Sequence, residues 1–267
     1  MQTMAGNPTK DLITYEYPLN ERIRTLLRLN FLFERVEFGK TGNSEWHART
    51  AVDALLDIID LLTRSDVRAE LQKELERQRS TLSQLRGLPG VKGQQLQTVL
   101  EQADRVSKAL REAPPGLPAS MRDNAFLTAI SQRAGVLGGT CAFDLPGYHL
   151  WLQSPVTERQ ALIKEWLSGF EAISEGSALV LRVLRQSADP IDEVAAGGSY
   201  NAKLDPNTAI QMLRVRMDRT TQCFPEISGS RHFCTIRFLH QPSHGERPKQ
   251  VDHDVPFILE RCVIQSR

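Results

Sequence analysis

The chain has 267 residues, 40% of them hydrophobic and 24% charged, and 33 basic against 32 acidic side chains leave a formal net charge of +1. Such a composition fits a globular protein of one or two domains with apolar side chains enough for a sizeable core. It excludes a global field that would draw the whole chain onto nucleic acid or an anionic membrane, so a charge-driven partner has to be met by a local patch.

The opening residues, "MQTMAGNPTKDLITYEYPLN", lack the basic end and apolar stretch of a secretory signal. No later run approaches about 18 uninterrupted apolar residues, so a cytoplasmic location is expected. "DLITYEYPL" reads as a strand, with Ile13, Tyr15 and Tyr17 on one side of a pleat. From Asn20 to about Gln186 the apolar residues recur at helical spacing between recognisable breakers. "LNERIRTLLRLNFLFERVEF" predicts a first helix capped by Asn20. "SEWHARTAVDALLDIIDLLTRS" predicts a second capped by Ser44, with Glu45 in the first turn, where negative charge suits the helix dipole. "GKTGNS" at 39–44 is assigned to the loop between them, because it lacks the distant first glycine and the preceding strand of a phosphate loop. "DVRAELQKELERQRSTLSQL" predicts a third helix that stops at "RGLPG"; a fourth runs from about Gly93 to Glu112 and is ended by "APPG". A fifth is expected over Ala119 to Ala134, and the longest over Thr157 to Gln186.

After "SADPIDEVAAGGSY" the period shifts toward two, in short segments bounded by Gly, Pro, Asn and Asp. "AIQMLRVRMD", "HFCTIRFLH" and "VPFILERCVI" read as strands, and the early strand is expected to pair with these late ones. The predicted fold class is therefore α+β: an N-terminal strand, a helical domain of about six helices over 20–188, and an antiparallel β domain made of 11–19 plus 189–267. Residues 138–147 are a candidate further strand of that β domain.

Chemistry is sought first in "GGTCAFDLPGYHLWL", which brings Cys141, Asp144 and His149 close in sequence. A nucleophilic thiol needs a base within hydrogen-bond reach and surroundings that favour thiolate. The flanking Gly138, Gly139, Pro146 and Gly147 predict instead a short buried strand, a turn and a helical turn, with Cys141 and Phe143 on one face and Asp144 capping the helical turn. Cys141, Cys223, Cys234 and Cys262 form no CxxC pair, and His240, His244 and His253 lie in loop-like sequence, so neither a disulfide framework nor a metal site is expected. GxxxxGK[ST], GxGxxG, HExxH and GxSxG motifs are all missing. No catalytic residue, cofactor or metal is assigned.

Arginines are the more unusual feature. Arg24, Arg28 and Arg35 recur at helical spacing and form one stripe on the first helix, with Ile23, Leu26, Leu27, Leu29, Phe31, Leu32, Phe33 and Val36 around most of the remaining circumference. Arg214 and Arg216 share one side of a strand, and Arg231 and Arg237 come on the next. Planar, bidentate guanidinium groups suit a carboxylate-bearing segment.

The segments "YPLNERIRTLLRLNFLFERV", "LLTRSDVRAELQKELERQRSTLSQLRGLPGV", "GGTCAFDLPGYHLWLQSP", "LVLRVLRQSA" and "FPEISGSRHFCTIRFL" resemble ZapD, the family of FtsZ-associated cell division proteins of Gram-negative bacteria, and the resemblance covers essentially the whole chain. It implies a helical domain joined to a β domain, a homodimer, and binding of the C-terminal tail of FtsZ that bundles or cross-links protofilaments and supports the Z ring at midcell, without enzymatic activity. In that family, basic residues and a histidine facing the junction of helices and sheet are implicated in the contact. The matching positions are Arg28, Arg64, His149 and Arg237; Arg24 and Arg214 fall in matching stretches, and strand geometry adds Arg216. Physically, His149 reads as well as a satisfied core histidine between Tyr148 and Trp151. The chain departs from the family with Thr140 before Cys141 in place of a second cysteine, with Phe233 and Ala125 where arginine is expected, and with about eight N-terminal residues, up to "TKDL", expected to be mobile. The competing readings are a basic-patch nucleic-acid-binding protein and a cysteine-dependent enzyme built on Cys141, Asp144 and His149.

Overall fold

The computed structural model describes residues 11–264, except 115, 117–120 and 122. The expected mobile N-terminal extension lies outside the described residues, as does the start of the helix expected from Ala119. The fold is α+β, with an N-terminal strand, a helical region and antiparallel sheets formed mainly by the C-terminal part. The chain divides into two compact units, Thr25–Leu181 on one hand and Met1–Arg24 together with Arg182–Arg267 on the other.

The helical unit is built from amphipathic segments with local start signals. Helix α1 (Glu21–Thr41) begins where the Asn20 side chain accepts a hydrogen bond from the Ile23 amide at 2.9 Å. Helix α2 (Glu45–Arg64) is capped by Ser44, whose hydroxyl accepts from the His47 amide at 3.3 Å. Both caps satisfy amides that a helix N-terminus otherwise leaves open. Helix α2 buries Ala48, Ala51, Val52, Ala54, Leu55, Ile58, Ile59 and Leu62. At roughly 1.5–3 kcal/mol for each large side chain removed from water, this stripe is a main source of the unit's stability. Helices α3 (Val67–Ser83) and α4 (Gly93–Glu112) come next, Asp66 capping α3 through the Ala69 amide. Helix α5 begins at Ala125 under an Asn124 cap and ends at Ala134.

Three expectations are corrected here. Helix α1 runs through Gly39 and Lys40 to Thr41, so only 42–44 of "GKTGNS" form the loop between the first two helices. The reason is packing: a Cβ on Gly39 would lie 2.5 Å from the His47 carbonyl oxygen and 2.6 Å from the Ala51 nitrogen, so glycine permits α2 to cross closely at this turn. The candidate strand at 138–147 is absent: the chain there makes consecutive turns, and helix α6 (Pro146–Leu152) starts at Pro146, where a residue without an amide proton costs nothing. The helix expected over 157–186 is divided by a 3₁₀ turn at Ser168–Phe170 into α7 (Val156–Leu167) and α8 (Glu171–Gln186). Gly169 weakens the helix at that point, and Phe170 turns fully into the core.

The β unit is a sandwich. Strands β1 (Leu12–Pro18), β4 (Ile210–Asp218), β8 (Val255–Val263) and β2 (Pro190–Ala195) form one antiparallel sheet in the order β1-β4-β8-β2. Strands β3 (Ser199–Lys203), β6 (Phe233–His240) and β5 (Phe224–Gly229) form the other, and the short β7 (Lys249–Gln250) adds to β6. The early strand pairs with a late one as expected, Tyr15 opposite Val215 and Tyr17 opposite Leu213. Gly197 and Gly198, both at positive φ, turn the chain from β2 in one sheet into β3 in the other. Val215, Met217, Val255, Phe257 and Leu259 meet Ile236 and Phe238 between the sheets. This fixes the register, since a slip of one residue would bring Arg214 and Arg216 into the apolar layer.

Candidate functional site

The basic residues singled out in the sequence fall on both units. In the helical unit, Arg28 is an exposed residue of α1 and Arg64 an exposed one in the last turn of α2. Arg64 pairs with Asp60 one turn back at 2.6 Å. The predicted stripe on α1 is only partly basic. Phe31 and Phe38 lie on the same side as Arg28 and Arg35 and are 59% and 62% exposed, and Arg35 reaches Asp57 at 3.4 Å. His149 is exposed, so its alternative reading as a core histidine is corrected. The neighbouring Tyr148 fills the core instead, 3% exposed.

In the β unit the arginines divide by face. Arg214 and Arg216 alternate with Val215 and Met217 and therefore lie on the outer side of the four-stranded sheet. Arg237 alternates with Ile236 and Phe238 and lies on the outer side of the other sheet. The sandwich thus separates Arg237 from Arg214 and Arg216. Arg231 lies in the turn before β6 rather than on the strand. Arg24, in the first turns of α1, pairs with Glu21 at 3.2 Å.

Carboxylates match most of these cations. Glu16 on β1 accepts from Arg185 of α8 at 2.8 Å and from Arg214 at 3.0 Å, and Glu260 on β8 accepts from Arg214 and, at 2.9 Å, from Arg216. The cross-strand register produces this row, because Arg214 stands opposite Glu16 on one side and Glu260 on the other. Burial works to raise the Glu16 pKa, but the hydrogen bonds and charges of Arg185 and Arg214 outweigh it and hold the carboxyl below its usual range. Arg237 pairs with Glu226 on β5, and both side chains are about half exposed. Arg185, Glu16 and Glu260 do not stand out in the sequence. Their one local signal is charge on the polar phase of a strand or helix, and their partners are up to 198 residues away.

The Cys141 stretch is laid out otherwise than predicted. Phe143 is 85% exposed rather than paired with Cys141 on a buried face, and Asp144 does not cap α6. Asp144 accepts from the Cys141 thiol at 3.5 Å and faces Arg133 at 3.8 Å. The thiol's partner is thus a carboxylate that also faces an arginine, in place of the capping role predicted for Asp144. Burial pushes the Cys262 thiol up to about 12, which keeps it protonated. Among the described residues no group of His, Cys, Asp or Glu is arranged to hold a metal ion, and no helix is long and apolar enough to cross a membrane.

Fold and site together define an α+β protein whose distinctive side chains are guanidinium groups on helix and sheet surfaces. The family model of ZapD, described as a cell division protein, matches residues 27–237. The ZapD cell division protein of Methylococcus capsulatus is 41% identical over 255 residues, 96% of this chain and 100% of that protein. Those of Cupriavidus pinatubonensis and Ralstonia nicotianae are 38% and 39% identical over 252 residues, 94% of this chain and 99% of each. The chain belongs to the ZapD family of cell division proteins.

Proposed function

We propose that the protein acts in division by binding the C-terminal tail of FtsZ and cross-linking FtsZ protofilaments, promoting Z ring assembly from the cytoplasm at midcell. It does so as a homodimer and without catalysis. The observation that carries this reading is the exposure of Arg28, Arg64, His149 and Arg237, the positions where the resemblance implies FtsZ contact. Exposed guanidinium groups exchange a partly solvated intramolecular carboxylate for a tail carboxylate at little cost, since a surface pair such as Arg237 with Glu226 stabilises by only about 0–1 kcal/mol. Arg24 belongs to the same set as a flanking contact. Arg214 and Arg216 contribute positive charge to the surface while remaining tied to Glu16 and Glu260, so their part in the contact is smaller than that of the exposed four.

The test is co-sedimentation with polymerised FtsZ, with and without the FtsZ tail. Arg28→Ala and Arg237→Ala are expected each to reduce recovery about tenfold with thermal stability unchanged, roughly the loss of one charge-assisted contact worth 1.4 kcal/mol. Recovery that is unaffected in both, or that persists without the tail, rules the reading out.

A further inference from the structure

In the β unit the chain leaves its strands after β4, after β6 and after β7, and the three segments enclose a cleft of about 470 Å³. That volume lies within the roughly 300–1,000 Å³ of small-molecule sites. Hydrogen bonds hold the frame. The Thr221 amide donates to the Asp218 carbonyl and the Val251 amide to the Phe238 carbonyl, both at 3.0 Å. The Gln250 side chain donates to the Gly197 carbonyl at 3.2 Å, and the Gly197 amide to Asp254 at 2.9 Å.

His240 and Lys249 line the cleft from neighbouring strands, and the register of β6 and β7 sets them directly opposite each other. Side chains so placed share a face and come within reach of one ligand. Nδ1 of His240 is 2.9 Å from the Gln222 carbonyl oxygen. A carbonyl only accepts, so Nδ1 carries the ring proton and Nε2 is left without a partner among the described residues. Lys249 has no carboxylate partner among them either. The other ionisable groups of the lining leave its charge standing. Burial pushes the Cys223 thiol above its usual range and keeps it neutral. Asp252, 3.8 Å from Nδ1 of His253, has a fully exposed side chain whose charge water and salt screen. Pro242 and the buried Val251 supply an apolar wall.

The opposed pair sets two demands on a ligand. The Lys249 ammonium calls for an anionic oxygen, and Nε2 of a neutral imidazole calls for a hydrogen-bond donor. At neutral pH a carboxylate or a sulfate meets only the first. A phosphate monoester meets both: its second pKa, about 6, lies beside that of imidazole, about 6.5, so one proton is shared between a phosphate oxygen and Nε2. We propose that this cleft binds a small organic phosphate, its phosphoryl group between Lys249 and His240 and its organic part against Val251 and Pro242. The proposal does not rest on the FtsZ reading.

The experiment follows the histidine ring signals of the full chain by NMR at neutral pH and constant ionic strength while inorganic phosphate, phenyl phosphate or sulfate is added. His240→Gln identifies the His240 signal, and His244, an exposed histidine outside the cleft lining, is the internal reference. Both phosphates are expected to shift the His240 signal saturably and leave His244 in place, phenyl phosphate binding the more tightly through its ring. Sulfate is expected to bind about tenfold more weakly, and Lys249→Gln to weaken phosphate binding about tenfold with circular dichroism unchanged, each being the loss of one charge-assisted contact. Sulfate that binds as tightly as phosphate, a phenyl group that adds nothing, or Lys249→Gln without effect would overturn the assignment. So would a His240 shift that never saturates or that His244 shares equally.

Discussion

Glu16 shows how a single side chain decides what a surface can do. Its carboxylate is largely buried, and two arginines donate to it from different elements. Removing one partner of such a group leaves uncompensated charge in a poorly solvated place, which is costly, whereas removing one partner of an exposed pair is nearly neutral. Arg214 is therefore part of the folding machinery and Arg237 is available for contact. The lowered Glu16 pKa gives the network a pH signature. A carboxyl depressed on folding contributes stability that is fully present above its unfolded pKa, about 4.3, and is lost as pH falls through the folded value. Glu16→Gln is thus expected to lower the melting temperature at neutral pH and to shrink that deficit as pH is taken from about 5 to 3. Thermal unfolding across that range checks it; a deficit that stays constant with pH would show that the ion pairs contribute nothing. The sequence displays the arginines but not this matching, because Glu16 and Arg214 are 198 residues apart and only the sheet register sets them side by side.

Among elements, those legible in the sequence are the ones whose own residues carry the signal. Strands β4, β6 and β8 are rich in branched and aromatic side chains that alternate into a common core, and α2 has a cap, an acidic first turn and an unbroken apolar stripe. Strands β2, β3 and β5 escape sequence reading. They are short, lie at sheet edges, and include Pro190, Pro225 and Gly229, so little of their side-chain pattern is dictated by burial. The 138–147 segment misleads for the opposite reason. Its Cys141 and Phe143 suggest one inward face, but the turns that follow Gly138, at positive φ, leave Phe143 85% exposed. Gly39 reads as a loop residue because glycine is a poor helix former, and its actual role is the close passage of α1 and α2. Alanine there gains roughly 1 kcal/mol of helix propensity but drives a methyl group into backbone atoms of α2 that cannot rotate aside. Overpacking costs about 1–3 kcal/mol, toward the upper end against backbone, so Gly39→Ala is expected to lower the melting temperature. An equal or higher melting temperature would mean that the two helices separate at no cost.

For the whole molecule, the proposed cross-linking rests on weak tail contacts made more than once. The proposed tail contacts join exposed charges, which salt screens: the Debye length falls from about 10 Å at 0.1 M to about 3 Å at 1 M ionic strength. Bivalency multiplies the consequence, because two weak tail contacts on one dimer hold filaments far better than either alone, and weakening both reduces the product. Raising ionic strength from about 0.05 to 0.5 M is therefore expected to abolish tail-peptide binding while the circular dichroism of the protein stays unchanged. Isolated tail peptide is the right probe, since filament assembly responds to salt by itself. Tail binding indifferent to salt would assign recognition to exposed apolar side chains such as Phe31 and Phe38 rather than to the arginines beside them.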